Sequence, residues 1–384
     1  MITIKTPGKL MLAGDWSVLE SGNHCIVMPI DKYVTVTLEK TEAQISTICA
    51  PDIYHETIQI SWHNSQLHII TKLSEEQKKL FLTVQKALEI VLSYIQEQNL
   101  EHSENIEIDN TENRENFALT ISSEISTLTL PDGTITKPGL GSSAAITVAV
   151  ITALLDLHDF DVTSVIAKNI IFKLAYLAHI QSQGNMGSGF DIAACTFEKV
   201  ITYQRLDPIW LVKKIQTTES LTELVNTKWP QLVIAPIIIP DNMRVIVGFV
   251  GTSAKTTNLL SLVQTFKKRD PEKYREIIHN LETIVKNLIE QLTQHNNHTT
   301  IIKLISEHRD FLKKLSELCD NQLETPELTK LITIAQEHHA GAKFSGAGGG
   351  DCGIAICFDE ITAQKIKISW TENGITPLDI SIKK

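Results

Sequence analysis

The first forty residues carry an apolar strand pattern. Residues 2 to 38 read as a strand, a turn through Pro7 and Gly8, a strand over Leu10 to Ala13, and the β-branched run Tyr33 to Leu38. The period changes at Ser74, where S-E-E-Q offers a capping box and Phe81, Val84, Leu88, Val91, Leu92 and Ile95 recur at helical spacing. Strand-like segments return at Asn105 to Ile108 and Ala118 to Ser122. A strongly apolar helix is predicted from Ser142 to about Leu155, and another across Ser164 to His179. Gln181 to Gly189 reads as a loop, followed by a short apolar segment and the strand Val200 to Arg205.

Beyond Trp229 and Pro230, the runs Leu232 to Ile239 and Met243 to Val250 predict strands, and helical patterns dominate from Thr256 to His339. The chain then passes through a Gly-rich loop, a strand at Cys352 to Cys357, a helix near Ile361 to Trp370 and a last strand near Leu378 to Ile382. Strands and helices alternate irregularly, which places the fold in the α+β class. A length of 384 residues exceeds what one core usually supports, so two domains are expected, residues 1–225 and 226–384.

With 42% apolar and 21% charged residues the chain has enough buried material to fold and too little charge to stay disordered. A formal charge of -10 argues against nucleic-acid binding, which rests on clustered Lys and Arg, so a phosphorylated ligand must be held by local features. The opening M-I-T-I-K-T-P-G-K-L lacks the pattern of a signal peptide, and no stretch approaches the ~18 apolar residues of a spanning helix. A cytoplasmic protein with no membrane partner is expected. Six scattered cysteines without C-x-x-C spacing, and thirteen histidines without H-E-x-x-H, give no basis for a disulfide framework or a built-in metal site.

Three glycine-marked segments carry candidate chemistry. In K-P-G-L-G-S-S-A-A, Lys137 to Ala145, two glycines and two hydroxyls stand directly before the apolar helix. Gly139 and Gly141 permit close backbone approach, and a helix start offers unpaired N–H groups with the positive dipole end, so the segment suits a phosphate. The alternatives are an ordinary helix start capped by Ser142 or Ser143, and a dinucleotide fingerprint, since G-L-G-S-S-A satisfies G-x-G-x-x-A with Asp161 about twenty residues on. Against the fingerprint, Pro131 to Pro138 is a proline-bounded polar turn rather than a buried strand. In S-G-A-G-G-G-D-C-G, Ser345 to Gly353, five of nine residues are glycine as the chain enters an apolar strand, which suits a loop that packs closely against another group better than it suits a linker. The third feature is a pair of charges, Lys9 in T-P-G-K-L and Asp191 in G-S-G-F-D-I-A-A. Taken alone, these read as a solvated lysine and a helix-capping aspartate.

In this order the segments resemble the three signature motifs of the superfamily that groups galactokinase, homoserine kinase, mevalonate kinase and phosphomevalonate kinase, over nearly the whole chain. A-G-D-W-S-V-L-E, Q-G-N-M-G-S-G-F-D-I-A-A and G-G-G-D-C-G are most similar to its phosphomevalonate kinase branch, with Asp15 where A-G-E is usual. The resemblance implies an N-terminal ribosomal-protein-S5-like domain and a C-terminal ferredoxin-like domain with the active site between them. It implies a phosphotransferase, monomer or homodimer, that uses ATP with Mg2+ to convert 5-phosphomevalonate to 5-diphosphomevalonate. By the same resemblance, Lys9 and Asp191 form the catalytic pair. Lys137, Gly139, Leu140, Gly141, Ser142, Ser143 and Ala144 hold ATP, and Ser143 is the magnesium ligand. Lys9, Ser188, Ser345, Gly346, Ala347 and Gly348 are placed on the acceptor. G-T-S-A-K-T-T, Gly251 to Thr257, reads either as a capped helix start or as part of the acceptor pocket through Ser253 and Thr256.

Overall fold

The computed structural model describes residues 1–52, 54–63, 66–101, 116–130, 133–184, 187–251 and 256–383. The strand expected at Asn105 to Ile108 and the substrate candidate Ser253 lie outside the described residues. Strands β1 (Ile2–Ala13), β2 (His24–Thr41), β3 (Ser46–Ala50), β4 (Tyr54–His63), β5 (Gln66–Ile69) and β6 (Asn116–Ser123) build most of one sheet. A small pair, β7 (Leu128–Thr129) and β8 (Ile135–Thr136), precedes the first glycine segment, and β9 (Ile201–Gln204) and β10 (Val233–Pro236) complete the sheet. Its order is β10-β9-β2-β6-β3-β4-β5, with β1 also paired to β2. The sheet therefore extends in the chain to Pro236, and the second sheet begins at Arg244.

The expected turn at Pro7 and Gly8 is instead a bulge inside one continuous strand, since the pairing of β1 with β2 shifts register between Pro7 and Lys9. A bulge re-aims the strand without ending it, which is how Lys9 comes to face the first glycine segment. Gly8 is required there. A Cβ would stand 2.9 Å from both Ile30 Cδ1 and the Leu140 carbonyl oxygen.

Helices α1 (Glu75–Glu101), α2 (Ser142–Leu157), α3 (Val165–Gln183), α4 (Phe190–Phe197), α5 (Pro208–Thr217) and α6 (Leu221–Asn226) belong to this half. The capping box at the start of α1 forms as expected: Gln77 N–H donates to Ser74 Oγ, and Ser74 N–H to Gln77 Oε1. Helix α2 packs on β1 and β2 and against α1, α3 and α4. It is apolar nearly all round and buried from Ala144 to Ile151, so its start is fixed by packing on several sides. The short apolar segment after the Gly189 loop is helix α4. Its eight residues are too few to show a period, but Ile192, Ala193 and Ala194 are buried against β1 and α2.

The second sheet is antiparallel, in the order β12-β13-β11-β14, from β11 (Arg244–Phe249), β12 (Gly341–Phe344), β13 (Cys352–Cys357) and β14 (Thr376–Pro377). Helices α7 (Thr256–Arg269), α8 (Pro271–Glu290), α9 (His298–Glu317), α10 (Pro326–Glu337) and α11 (Glu360–Glu372) accompany it, in agreement with the long helical stretch read from the sequence. The last strand falls earlier than Leu378 to Ile382: β14 pairs with Gly248 and Phe249, and beyond it the chain bridges back to the first sheet at Ile382 and Ile30, flanked by backbone bonds of Ser381 with Asp31 and of Lys383 with Pro29. One apolar cluster runs from the first sheet through Phe249 and Cys352 of the second, so the two sheets are packed together rather than strung on a linker.

Candidate active site

Lys9 is carried by the bulge in β1. Its N–H donates to the Leu140 carbonyl at 2.9 Å and its ammonium to the Gly139 carbonyl at 3.2 Å. The side chain lies directly on Gly141, where a Cβ would stand 2.9 Å from Lys9 Cγ, and the ammonium is 5.6 Å from the centre of the Phe190 ring. Packing of this kind fixes a long, otherwise mobile cation with 8% of its surface exposed.

The capped-helix alternative for this segment does not hold, because the N-cap of α2 is Gly141 rather than a serine. It sits at φ 87° and supplies no side-chain hydrogen bond. The first-turn N–H groups of α2 therefore have neither an intrahelical partner nor a side-chain cap, and they carry the positive end of a buried helix. Gly139, at φ 67°, faces the Asp351 carboxylate, which would be 2.7 Å from an added Cβ. Ser143 Oγ contacts Thr83 Oγ1 and Gln183 Nε2 at 3.4 Å each. A hydroxyl held this loosely beside a phosphate cradle fits magnesium, which takes one or two protein oxygens and otherwise phosphate and water.

Helix α4 delivers the second charge. Gly189 at φ 86° begins it, pressed against Tyr176, and Asp191 follows in the first turn, its Oδ1 accepting from Ile192 N–H at 3.0 Å. Among the described residues Lys9 and Asp191 do not form an ion pair. The lysine takes a backbone carbonyl instead, and the expected pair is two charges that line one space. Two thiols lie close by, Cys195 donating to the Pro7 carbonyl and Cys352 to the Pro138 carbonyl. Burial pushes both well above the usual thiol range, so neither is a thiolate nucleophile at neutral pH.

The third glycine segment closes the space. Ser345 Oγ accepts from Met11 N–H at 2.9 Å and donates to the Met11 carbonyl at 3.2 Å, and Gly346 N–H donates to Asp15 Oδ1 at 2.6 Å. The resulting cleft holds about 320 Å³. Lys9, Gly139, Gly141, Ser188, Asp191 and Ser345 to Gly348 all line it. Ser142 and Ser143 stand half-buried in the first turn of α2, and Leu140 and Ala144 are buried beneath it. Lys137 is exposed and not part of the lining, and Thr256 is the first residue of α7.

Sequence reasoning missed the apolar wall of Trp16, Val18, Leu19 and Leu260, and it missed His179 and Gln183, which also line the cleft. The last two stand four residues apart on α3, on one face of the helix, a signal that helical spacing could have exposed. The wall has no such mark, because Trp16 to Leu19 form a turn that becomes a surface only when α7 packs across from it.

The description "GHMP kinases N terminal domain" matches residues 86–199 and "GHMP kinases C terminal" matches residues 284–376, together more than half of the chain. The phosphomevalonate kinase of Streptomyces sp. is 26% identical over 381 residues, 98% of this chain and 95% of that protein. The mevalonate kinase of Pyrococcus abyssi is also 26% identical, over 100% and 96%. Among solved structures, a protein from Listeria innocua superposes with a TM-score of 0.84 at 29% identity, over 100% of this chain and 98% of that one. The Streptococcus pneumoniae phosphomevalonate kinase in complex with phosphomevalonate and AMPPNP superposes with a TM-score of 0.80 at 24% identity, over the whole of both chains. The two matched regions take in the first and the third glycine segments, in that order, and the chain belongs to the GHMP kinase family.

Proposed function

We propose that this kinase transfers the terminal phosphoryl group of MgATP to the phosphate of 5-phosphomevalonate. The observation that carries the reading is the placement of Lys9, a fixed cation whose ammonium and methylenes lie on the two glycines before the uncapped start of α2. Phosphoryl transfer requires positioning and charge stabilisation more than covalent chemistry, and the cleft supplies both. The N–H groups of Ser142, Ser143 and Ala144 hold the triphosphate, and Ser143 Oγ would hold a magnesium ion, which would supply neutralisation of the charge on the transferred group. Lys9 stabilises the same charge from the other side.

A phosphate monoester loses its second proton near pH ~6, so the acceptor oxygen is already anionic at neutral pH. Asp191 then orients the acceptor, and the reaction does not depend on it as a strong base. The full-length similarity to a phosphomevalonate kinase and the segment G-G-G-D-C-G, with Asp351 set against the cradle glycine, favour a phosphate acceptor over an alcohol. The mevalonate kinase relatives define the second reading, phosphorylation of mevalonate itself. ADP release measured with mevalonate, 5-phosphomevalonate, homoserine and galactose separates them. Turnover with 5-phosphomevalonate far above the rest is expected, and a preference for mevalonate would overturn the assignment.

A further inference from the structure

Beneath the third glycine segment lies a charge pair to which the proposed reaction gives no role. Lys343 on β12 and Asp15 after β1 have no exposed side-chain surface, and Lys343 Nζ is 2.7 Å from Asp15 Oδ2. Burial pushes the Asp15 carboxyl up and the Lys343 ammonium down, each opposed by the charge of the other. Such a pair is a poor way to obtain stability, because apolar residues of similar volume often serve as well or better.

What an apolar pair cannot do is hold a backbone N–H. Asp15 Oδ1 accepts from Gly346 N–H at 2.6 Å, while Lys343 engages the other oxygen and reaches toward the Met11 carbonyl at 3.5 Å. Next to this bond the chain turns at Gly346, φ 95°, and it is pinned again where Gly349 N–H donates to the Leu323 carbonyl at 2.7 Å. Gly348 is pressed on that same carbonyl, so nothing larger than hydrogen fits there. Between the two anchors, the N–H groups of Ala347 and Gly348 have no hydrogen-bond partner among the described residues, and both residues line the cleft.

We propose that Lys343 and Asp15 are positioning residues for the acceptor: their ion pair holds Gly346 so that the Ala347 and Gly348 N–H groups form a fixed edge for an anionic group of the acceptor. The proposal rests on the reading that the acceptor is anionic. Asp15 borders the cleft, but both side chains are fully covered, and the effect of the pair passes through the backbone they fix.

The test is the double variant Asp15→Leu/Lys343→Met, with circular dichroism and melting as the check on folding and both Michaelis constants as the readout. We expect a folded protein whose KM for 5-phosphomevalonate is raised on the order of tenfold or more, with KM for ATP within about twofold of the wild type, by loss of charge-assisted positioning. Wild-type values of both constants, or an equal rise in both, would show the pair to be structural only. Should the double variant fail to fold, Asp15→Asn/Lys343→Met, which leaves no buried charge unpaired and keeps an acceptor for Gly346 N–H, carries the comparison: a smaller rise confined to KM for 5-phosphomevalonate is expected, and wild-type values or an equal rise in both constants count against the proposal. Failure of the acceptor assignment is distinct, because it shows as absent turnover of 5-phosphomevalonate by the wild type. The comparison is then made with the acceptor the wild type does use, and an unchanged KM there again overturns the proposal.

Discussion

At position 141 the missing side chain serves two neighbours. A Cβ there would stand 2.9 Å from Lys9 Cγ, and the backbone is at φ 87°, where L residues pay on the order of 1–2 kcal/mol. Gly141→Val is therefore expected to displace the lysine as well as crowd the phosphates, with activity lost and far-UV circular dichroism unchanged. Undiminished nucleotide affinity and turnover would contradict this. Lys9→Ala isolates the charge: kcat should fall on the order of a hundredfold or more, as for loss of one oxyanion-stabilising group, and a change confined to KM would make Lys9 a uniform binding residue. For Asp191→Asn we expect a smaller loss, below about a hundredfold, because an ionised phosphate needs no strong base. Complete inactivity would return Asp191 to the role of base. The identity of both charged residues was legible from their surrounding motifs. Their geometry was not, since the partner of Lys9 is the Gly139 carbonyl, and a backbone acceptor leaves no trace in residue type.

Among the elements, α9 reaches the turn after β1 through His308. The ring is fully buried and its Nε2 accepts from Gly14 N–H at 3.0 Å. Burial, and then the charge of Lys343, hold its pKa well below the usual 6.5. The unfolded chain therefore binds a proton below that value when the folded protein does not, so stability contributed by the neutral ring is lost as pH falls through about 6.5, by up to ~1.4 kcal/mol per pH unit. A melting series from pH 8 to pH 5 should show a steeper fall for the wild type than for His308→Gln, whose amide oxygen can still accept from Gly14. Parallel curves would refute the assignment. The elements themselves were largely readable where they were long or capped, as in the box at Ser74 and Gln77 and the apolar run of α2. Short or context-dependent ones were not. Helix α4 owes its form to Gly189 and to burial on α2, and β14 is a strand only because Gly248 and Phe249 of β11 stand beside it.

On the scale of the whole molecule, an acidic chain of net charge -10 would have to hold phosphate through local features, as the proposed site does. It does so by packing: an apolar helix start, one immobilised lysine and glycine backbones from three distant segments converge where the two sheets meet. Their order along the chain was visible in the sequence, but their convergence was not, because it depends on how β1 bulges and on how the segment after β12 bonds back to Met11 and Asp15. The claim that these parts act on a phosphate acceptor is tested most directly by phosphorus NMR of the product formed from ATP and 5-phosphomevalonate. The account predicts that the monoester signal is replaced by two mutually coupled resonances of a diphosphate, appearing in step with ADP. An unchanged monoester signal, with a new monoester formed instead from mevalonate under the same conditions, would contradict it.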